Sequence, residues 1–170
     1  MVPVSENLTI VIVGASGDLA RTKVLPALFG LFCQGSLPEN FRIFGFARTA
    51  MTTDAFRASV AEHLTCRYTP AKSCAGQMEE FLAYCFYVSG AYASSDSFLD
   101  LFQGMRAEEG DSPADRLFYL AIPPSVFLDV SRSIGDAGFV QCGASGPWSR
   151  VVVEKPFGHD RESSDALVKQ

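Results

Sequence analysis

A chain of 170 residues fits one domain of ordinary size, and 48% hydrophobic residues, 14 Phe among them, can fill a large core. The net charge of −5 is interspersed along the chain without a Lys/Arg block, which argues against a nucleic-acid partner. No apolar run approaches the ~20 residues of a membrane span, so no membrane association is expected.

The five cysteines, Cys33, Cys66, Cys74, Cys85 and Cys142, are irregularly spaced and form no Cys-x-x-Cys. With His63 and His159 the only histidines, no metal site is expected. All five read as reduced thiols, Cys33 and Cys85 as small core residues. "MVPVSENL" has no basic start and no long apolar stretch, so it does not read as a secretory leader. The expectation is a soluble, cytoplasmic protein.

"LTIVIV", 8–13, is a continuous β-branched run, as in a strand buried on both faces. Helical spacing follows at Leu19, Leu25, Leu28, Phe29 and Phe32, with Gly35 as the stop and Pro38 beyond it. "FRIFGFA", 41–47, reads as a second strand and "TTDAFRASVAEHL", 52–64, as a helix with Thr and Asp cap candidates. Residues 65–80, interrupted by Pro70 and Gly76, read as a loop and a short helix. "AYCFYVSG", 83–90, is a third strand, followed by a helix with a Ser/Asp start and a Gly110 stop. "RLFYLAI", 116–122, is a fourth strand, followed by a helix that opens at Pro123 and Pro124. "RVVVE", 150–154, is a fifth strand, and a last helix begins near 161. Strands alternating with helices predict an α/β Rossmann-type doubly wound parallel sheet, order 3-2-1-4-5, with helices on both faces. "SSDALVKQ" has no glycine stop, and the chain reads as a fragment of a longer protein.

The turn between the first strand and the first helix carries the chemistry. Glycines there let a backbone approach a phosphate, and the N–H groups of the first helical turn face the anion. The strict Gly-x-Gly-x-x-Gly register fails, because Gly14, Ser16 and Leu19 occupy it. Gly-x-x-Gly-x-x-Ala fits instead: Gly14 makes the turn, Gly17 clears space for pyrophosphate, and Ala20 lets helix and strand pack closely. No Gly-Lys-Ser/Thr follows, so this is not a Walker loop. Asp18 is an acid beside the phosphate position, expected to point away and to cap or complement the helix N-terminus.

After the second strand an NAD site usually places Asp or Glu for the ribose 2′-hydroxyl. This chain has Arg48 and Thr49, and a guanidinium suits a 2′-phosphate, which favours NADP over NAD. Lys155, in "VVVEKPFGHD", sits at the carboxyl end of the fifth strand, the edge where open α/β sheets bind ligands. The prolines of "AIPPS", 121–125, stand at the matching end of the fourth strand, placed to bracket a nicotinamide.

Taken together, "GASGDLA" at 14–20, "GFAR" ending at Arg48, "RLFYLAIPP" at 116–124 and "VEKPFGHD" at 153–160 resemble the glucose-6-phosphate dehydrogenase family. The resemblance implies that Gly14, Ala15, Ser16, Gly17, Asp18, Leu19, Ala20, Arg21, Arg48, Ala121, Phe127 and Lys155 form the NADP site. Lys155 would also contact the sugar phosphate, with Lys23 close to the substrate. Phe127 stands where some members have a coenzyme-contacting Tyr. The resemblance covers only the N-terminal coenzyme domain, residues 1–170. The substrate-binding and catalytic histidine stretch of the family and its β+α dimerisation domain are absent, so no residue here is assigned as catalytic. The implied reaction is oxidation of glucose 6-phosphate at C1 to the lactone, with hydride transfer to NADP. It would be carried out by a homodimer or homotetramer held through the missing domain. The alternatives are a Rossmann domain of the glucose–fructose oxidoreductase and inositol dehydrogenase type, or a non-catalytic nucleotide-binding module.

Overall fold

Side chains of residues 10–13 are buried on both sides of the strand they form, β1 (Asn7–Val13). The structure is a computed structural model that describes residues 7–66, 71–137 and 146–154. β1 is joined by β2 (Asn40–Ala47), β3 (Cys85–Ser89), β4 (Asp115–Leu120) and β5 (Ser149–Val153), all parallel, in the order β3-β2-β1-β4-β5. This is the expected doubly wound order. Val13 lies opposite Phe46 on one side and Leu120 on the other, so β1, β2 and β4 end level.

Successive strand residues feed opposite cores. Ile10, Ile12, Phe41 and Ile43 pack under α1 (Leu25–Cys33), α2 (Thr53–Ala61) and α3 (Ala71–Ala83). Val11, Val13, Phe44, Phe46, Phe118 and Leu120 pack under α4 (Ser95–Glu109) and α5 (Phe127–Asp136). The chain winds one way from β1 to β3 and the other way from β4 to β5. Right-handed crossovers therefore place the two helix sets on opposite faces. Thr52 caps α2 by accepting from the Ala55 N–H, and Ser94 caps α4 by accepting from the Ser97 N–H. Gly35 and Gly110, both at positive φ, end α1 and α4 as expected.

Three local expectations are corrected. The helix after β1 is not α-helical throughout: Ala20–Val24 form a π turn, closed by the Leu25 N–H on the Ala20 carbonyl. Pro26 explains it, since its ring crowds the carbonyl four residues back and it has no N–H to donate. Second, residues 71–83 form one long helix rather than a short one. Gly76 costs it about 1 kcal/mol, but Cys74, Met78, Phe81 and Leu82 pack into the core, with the Phe81 ring edge-on to Phe29 at 5.3 Å. Third, Cys66 and Cys74 are joined in a disulfide, Cα atoms 5.8 Å apart, and are not reduced thiols. Their spacing concealed the pairing, because α3 turns Cys74 back onto the chain that leaves α2. Cys33 and Cys85 are free as expected, and burial pushes the Cys85 thiol up to about 12; Cys142 lies outside the described residues.

At the amino edge of the sheet the Glu109 carboxylate is completely buried. It accepts from Arg116 Nη2 at 2.6 Å, Arg116 Nε at 3.1 Å and the Thr9 hydroxyl at 2.8 Å, while the guanidinium lies over the Phe102 ring. Glu109→Ala strands the Arg116 charge in the core, so urea titration should show a loss of about 3–5 kcal/mol. Replacing both, by Leu and Met, should cost far less. Opening the Cys66–Cys74 bridge by Cys66→Ser with Cys74→Ser should cost about 2–3 kcal/mol in the same titration, the value for closing a loop of this length.

Candidate functional site

The turn after β1 is held by backbone bonds that consume most of its own donors. Both the Gly14 and Ala15 N–H groups bond to the Phe46 carbonyl, at 2.8 and 3.3 Å, which ties the turn to the end of β2. The Gly17 N–H closes on the Gly14 carbonyl at 2.9 Å, and the Ala121 N–H donates to the Val13 carbonyl at 2.8 Å. Gly14 has φ +88°, and a Cβ there would lie 2.4 Å from the Ala121 carbonyl oxygen. A side chain is excluded by both conformation and space. A Cβ at Gly17 would stand 3.1 Å from the Gly14 carbonyl, so that turn also wants a bare backbone. Ala20 is fully buried where the helix meets the sheet. The first N–H groups of a helix lack intrahelical acceptors, so the N-terminus that opens after Gly17 favours negative charge.

Gly45 on β2 extends this logic. A Cβ there would collide with the Phe56 ring at 2.7 Å and with Ala15 Cβ at 2.9 Å, so the glycine lets α2 and the turn close on one spot.

Beyond β2, Arg48 and Thr49 stand beside the turn. The Ser16 and Thr49 hydroxyls are 3.1 Å apart. The Tyr87 hydroxyl donates to the Thr49 carbonyl at 2.6 Å and pins this short segment. The Arg48 guanidinium lies over the Tyr92 ring, 5.3 Å from its centre. Burial raises the Tyr92 hydroxyl above its ordinary range despite the opposing Arg48 charge, and it stays a neutral donor. Among the described residues Arg48 has no carboxylate partner. These groups line a cavity of about 210 Å³ with Gly14, Gly17, Ala121 and Pro123. It opens at the carboxyl ends of β1 and β4, where the winding reverses and ligands of such sheets enter.

The expected site residues distribute as follows. Gly14, Ser16, Gly17, Arg48 and Ala121 line this cavity together, and Pro123 joins them from the proline pair. Ala15 and Ala20 are buried supports beneath it. Asp18 points outward with its side chain 89% exposed. It pairs with Arg21 at 3.4 Å. Leu19 and Lys23 face a different cavity, on the α1 side of the sheet. Phe127 is buried in the core under α4 and α5 and is not among the residues that line this cavity. Lys155 lies outside the described residues.

Sequence reasoning missed Tyr92 and Tyr87. A signal existed in "SGAY", 89–92, at the carboxyl end of β3, where Gly90 clears room against Phe46.

A sequence model described as the NAD-binding domain of glucose-6-phosphate dehydrogenase matches residues 11–170. Glucose-6-phosphate 1-dehydrogenase 1, chloroplastic, of Arabidopsis thaliana is 44% identical over 96% of this chain and 28% of its own length. A second Arabidopsis protein, named inactive glucose-6-phosphate 1-dehydrogenase 4, chloroplastic, is 41% identical over 96% of this chain and 25% of its own. A solved glucose-6-phosphate dehydrogenase in complex with glucose 6-phosphate superimposes with a TM-score of 0.88 at 37% identity, covering 99% of this chain and 34% of that one. The chain thus spans about a quarter to a third of the proteins it matches. Its turn, its sheet order and these matches agree that the chain belongs to the glucose-6-phosphate dehydrogenase family and corresponds to that family's coenzyme-binding domain.

Proposed function

We propose that this chain is the NADP-binding domain, residues 1–170, of an enzyme that oxidises glucose 6-phosphate at C1 to the lactone. The observation that carries the coenzyme choice is Arg48. A guanidinium with no carboxylate partner among the described residues stands where an NAD site would present an acid, beside the Ser16 and Thr49 hydroxyls. The cradle fits a dinucleotide. The turn has no room for a side chain at Gly14 and little at Gly17, and Ser16, Arg48, Thr49 and Tyr92 offer donors to the adjacent cavity.

In this reading the opening N–H groups of the helix hold the pyrophosphate, and Gly17 leaves space for it. Arg48, over the Tyr92 ring, and the two hydroxyls hold the 2′-phosphate. Ala121 and Pro123 form the wall on the β4 side. Bound NADP supplies the acceptor for the hydride leaving C1. Lys155 and Lys23 are assigned to the sugar phosphate. The proton on the C1 hydroxyl is taken by a histidine expected further along the full-length protein, so these 170 residues bind coenzyme without turnover. The full-length enzyme is proposed to be a homodimer or homotetramer.

A second reading has one observation behind it: a relative 41% identical is named inactive. Full-length protein separates the two. NADPH formation from glucose 6-phosphate supports the dehydrogenase, and coenzyme binding without it supports the non-catalytic module. The cytoplasmic placement is likewise a proposal. Relatives named chloroplastic offer a plastid as the alternative, and a fluorescent fusion of the full-length protein decides it.

Two measurements test the coenzyme site. In calorimetric titration NADP should bind more tightly than NAD, and Arg48→Ala should remove the difference, about 10–100-fold for lost charge-assisted hydrogen bonds. Equal affinities in the unmodified protein would contradict the assignment. Gly14→Ala should abolish NADP binding and lower stability by about 1–3 kcal/mol, because its Cβ meets Ala121 and its backbone is left-handed. Undiminished NADP binding by a folded Gly14→Ala protein would place the pyrophosphate elsewhere.

A further inference from the structure

The stretch 48–52 carries the chain from the end of β2 to the start of α2, and its first two residues, Arg48 and Thr49, are exposed. The ladder stops short of them. The pairing of β2 with β3 ends at Ala47 with Ser89, where the Gly90 N–H bonds to the Ala47 carbonyl at 2.9 Å. Beyond that point Tyr87 of β3 takes over. Its hydroxyl donates to the Thr49 carbonyl at 2.6 Å, and its backbone N–H donates to the hydroxyl of Thr53, the first residue of α2, at 3.1 Å. Among the described residues, the bond at Thr49 is the only hydrogen bond to the main chain of 48–51. The ring that delivers it is itself fixed: Tyr87 is buried, and its ring packs on Phe56 of α2 with centres 5.1 Å apart. Tyr87 does not line the cavity.

Resting on the NADP reading above, we infer that Tyr87 is a positioning residue for coenzyme choice: its hydroxyl, by tying the Thr49 carbonyl, holds Arg48 and Thr49 ready for the 2′-phosphate without touching the coenzyme. A stretch ordered in advance loses less conformational freedom when the phosphate arrives than a free one would. The turn that faces the pyrophosphate does not depend on this tie. Its Gly14 and Ala15 N–H groups bond to the Phe46 carbonyl, before the stretch begins. The Tyr87 bond therefore sets the preference for NADP, and not the affinity for dinucleotides in general. Burial, and then Tyr92, raise the Tyr87 hydroxyl above its ordinary range, so it stays a donor at neutral pH.

Tyr87→Phe removes the hydroxyl and keeps the ring on Phe56, while the exposed Thr49 carbonyl turns to water, so the fold is retained. The test titrates NADP and NAD, each alone, into the full-length protein in four forms: unmodified, Tyr87→Phe, Arg48→Ala and the double variant. Tyr87→Phe should weaken NADP about 3–10-fold, the range for one lost hydrogen bond, and leave NAD within about twofold. In the Arg48→Ala background the same change should cost NADP clearly less, because the main group that it positions is gone. A second readout needs no coenzyme. Hydrogen exchange of the coenzyme-free protein should quicken several-fold in Tyr87→Phe over residues 48–52 and stay as it was in β1. NADP and NAD weakened equally would show general damage to the site and overturn the inference. So would unchanged NADP affinity, or unchanged exchange over 48–52, in a folded Tyr87→Phe protein. Equal affinity for the two coenzymes in the unmodified protein would overturn the NADP reading, and this inference with it. An intact NADP preference that ignores Tyr87→Phe would overturn the inference alone.

Discussion

The backbone of Gly14 passes so close to the Ala121 carbonyl that one methyl group would collide with it. That contact joins the exits of β1 and β4, the two strands between which the winding reverses. From there the chain after β1 climbs to the α1 face and the chain after β4 turns under the α5 face. The gap left between them is the cavity that Arg48, Thr49 and Tyr92 line. A larger residue at position 14 would push β1 from β4, disturb the Ala121–Val13 and Gly14–Phe46 bonds together, and remove the floor on which a phosphate would rest.

The electrostatics of the rim follow from what is kept out of it. The protein carries a net charge of −5, yet the cavity is donor-rich. Asp18, the acid of the turn, is turned to solvent and engaged with Arg21. Arg48 is held by a ring rather than by a carboxylate, so its charge is not already neutralised and its fork stays available. Local donors and the helix N-terminus, and not the overall charge, set the electrostatics of this rim. The buried Glu109–Arg116 pair at the opposite edge shows the contrast. There a guanidinium is paired with a buried carboxylate inside the protein.

Much of this was legible in the residues because local signals agreed with the global fold. The β-branched run of β1, the glycines at 14 and 17, the caps at Thr52 and Ser94 and the stops at Gly35 and Gly110 each named their own structure. What escaped depends on contacts distant in sequence. α3 is a long helix because Phe81 meets Phe29, a tertiary contact that outweighs Gly76. The Cys66–Cys74 bridge depends on where α3 begins. The π turn needed Pro26 to be weighed against the turn before it. The burial of Phe127 under α4 and α5 likewise depends on packing that no local motif announces. Tyr92 was invisible because it acts across the sheet on Arg48, forty-four positions earlier in the chain by subtraction of the residue numbers.

The most direct test of the account is to map, by amide chemical-shift changes in isotopically labelled protein, where NADP lands. The account predicts that the largest changes fall on Ala15 to Ala20, on Arg48 and Thr49, and on Ala121, with NAD reproducing the first set and sparing Arg48 and Thr49. Changes centred instead on the opposite edge, around Arg106 and Asp111 where a second polar cavity lies, would contradict it.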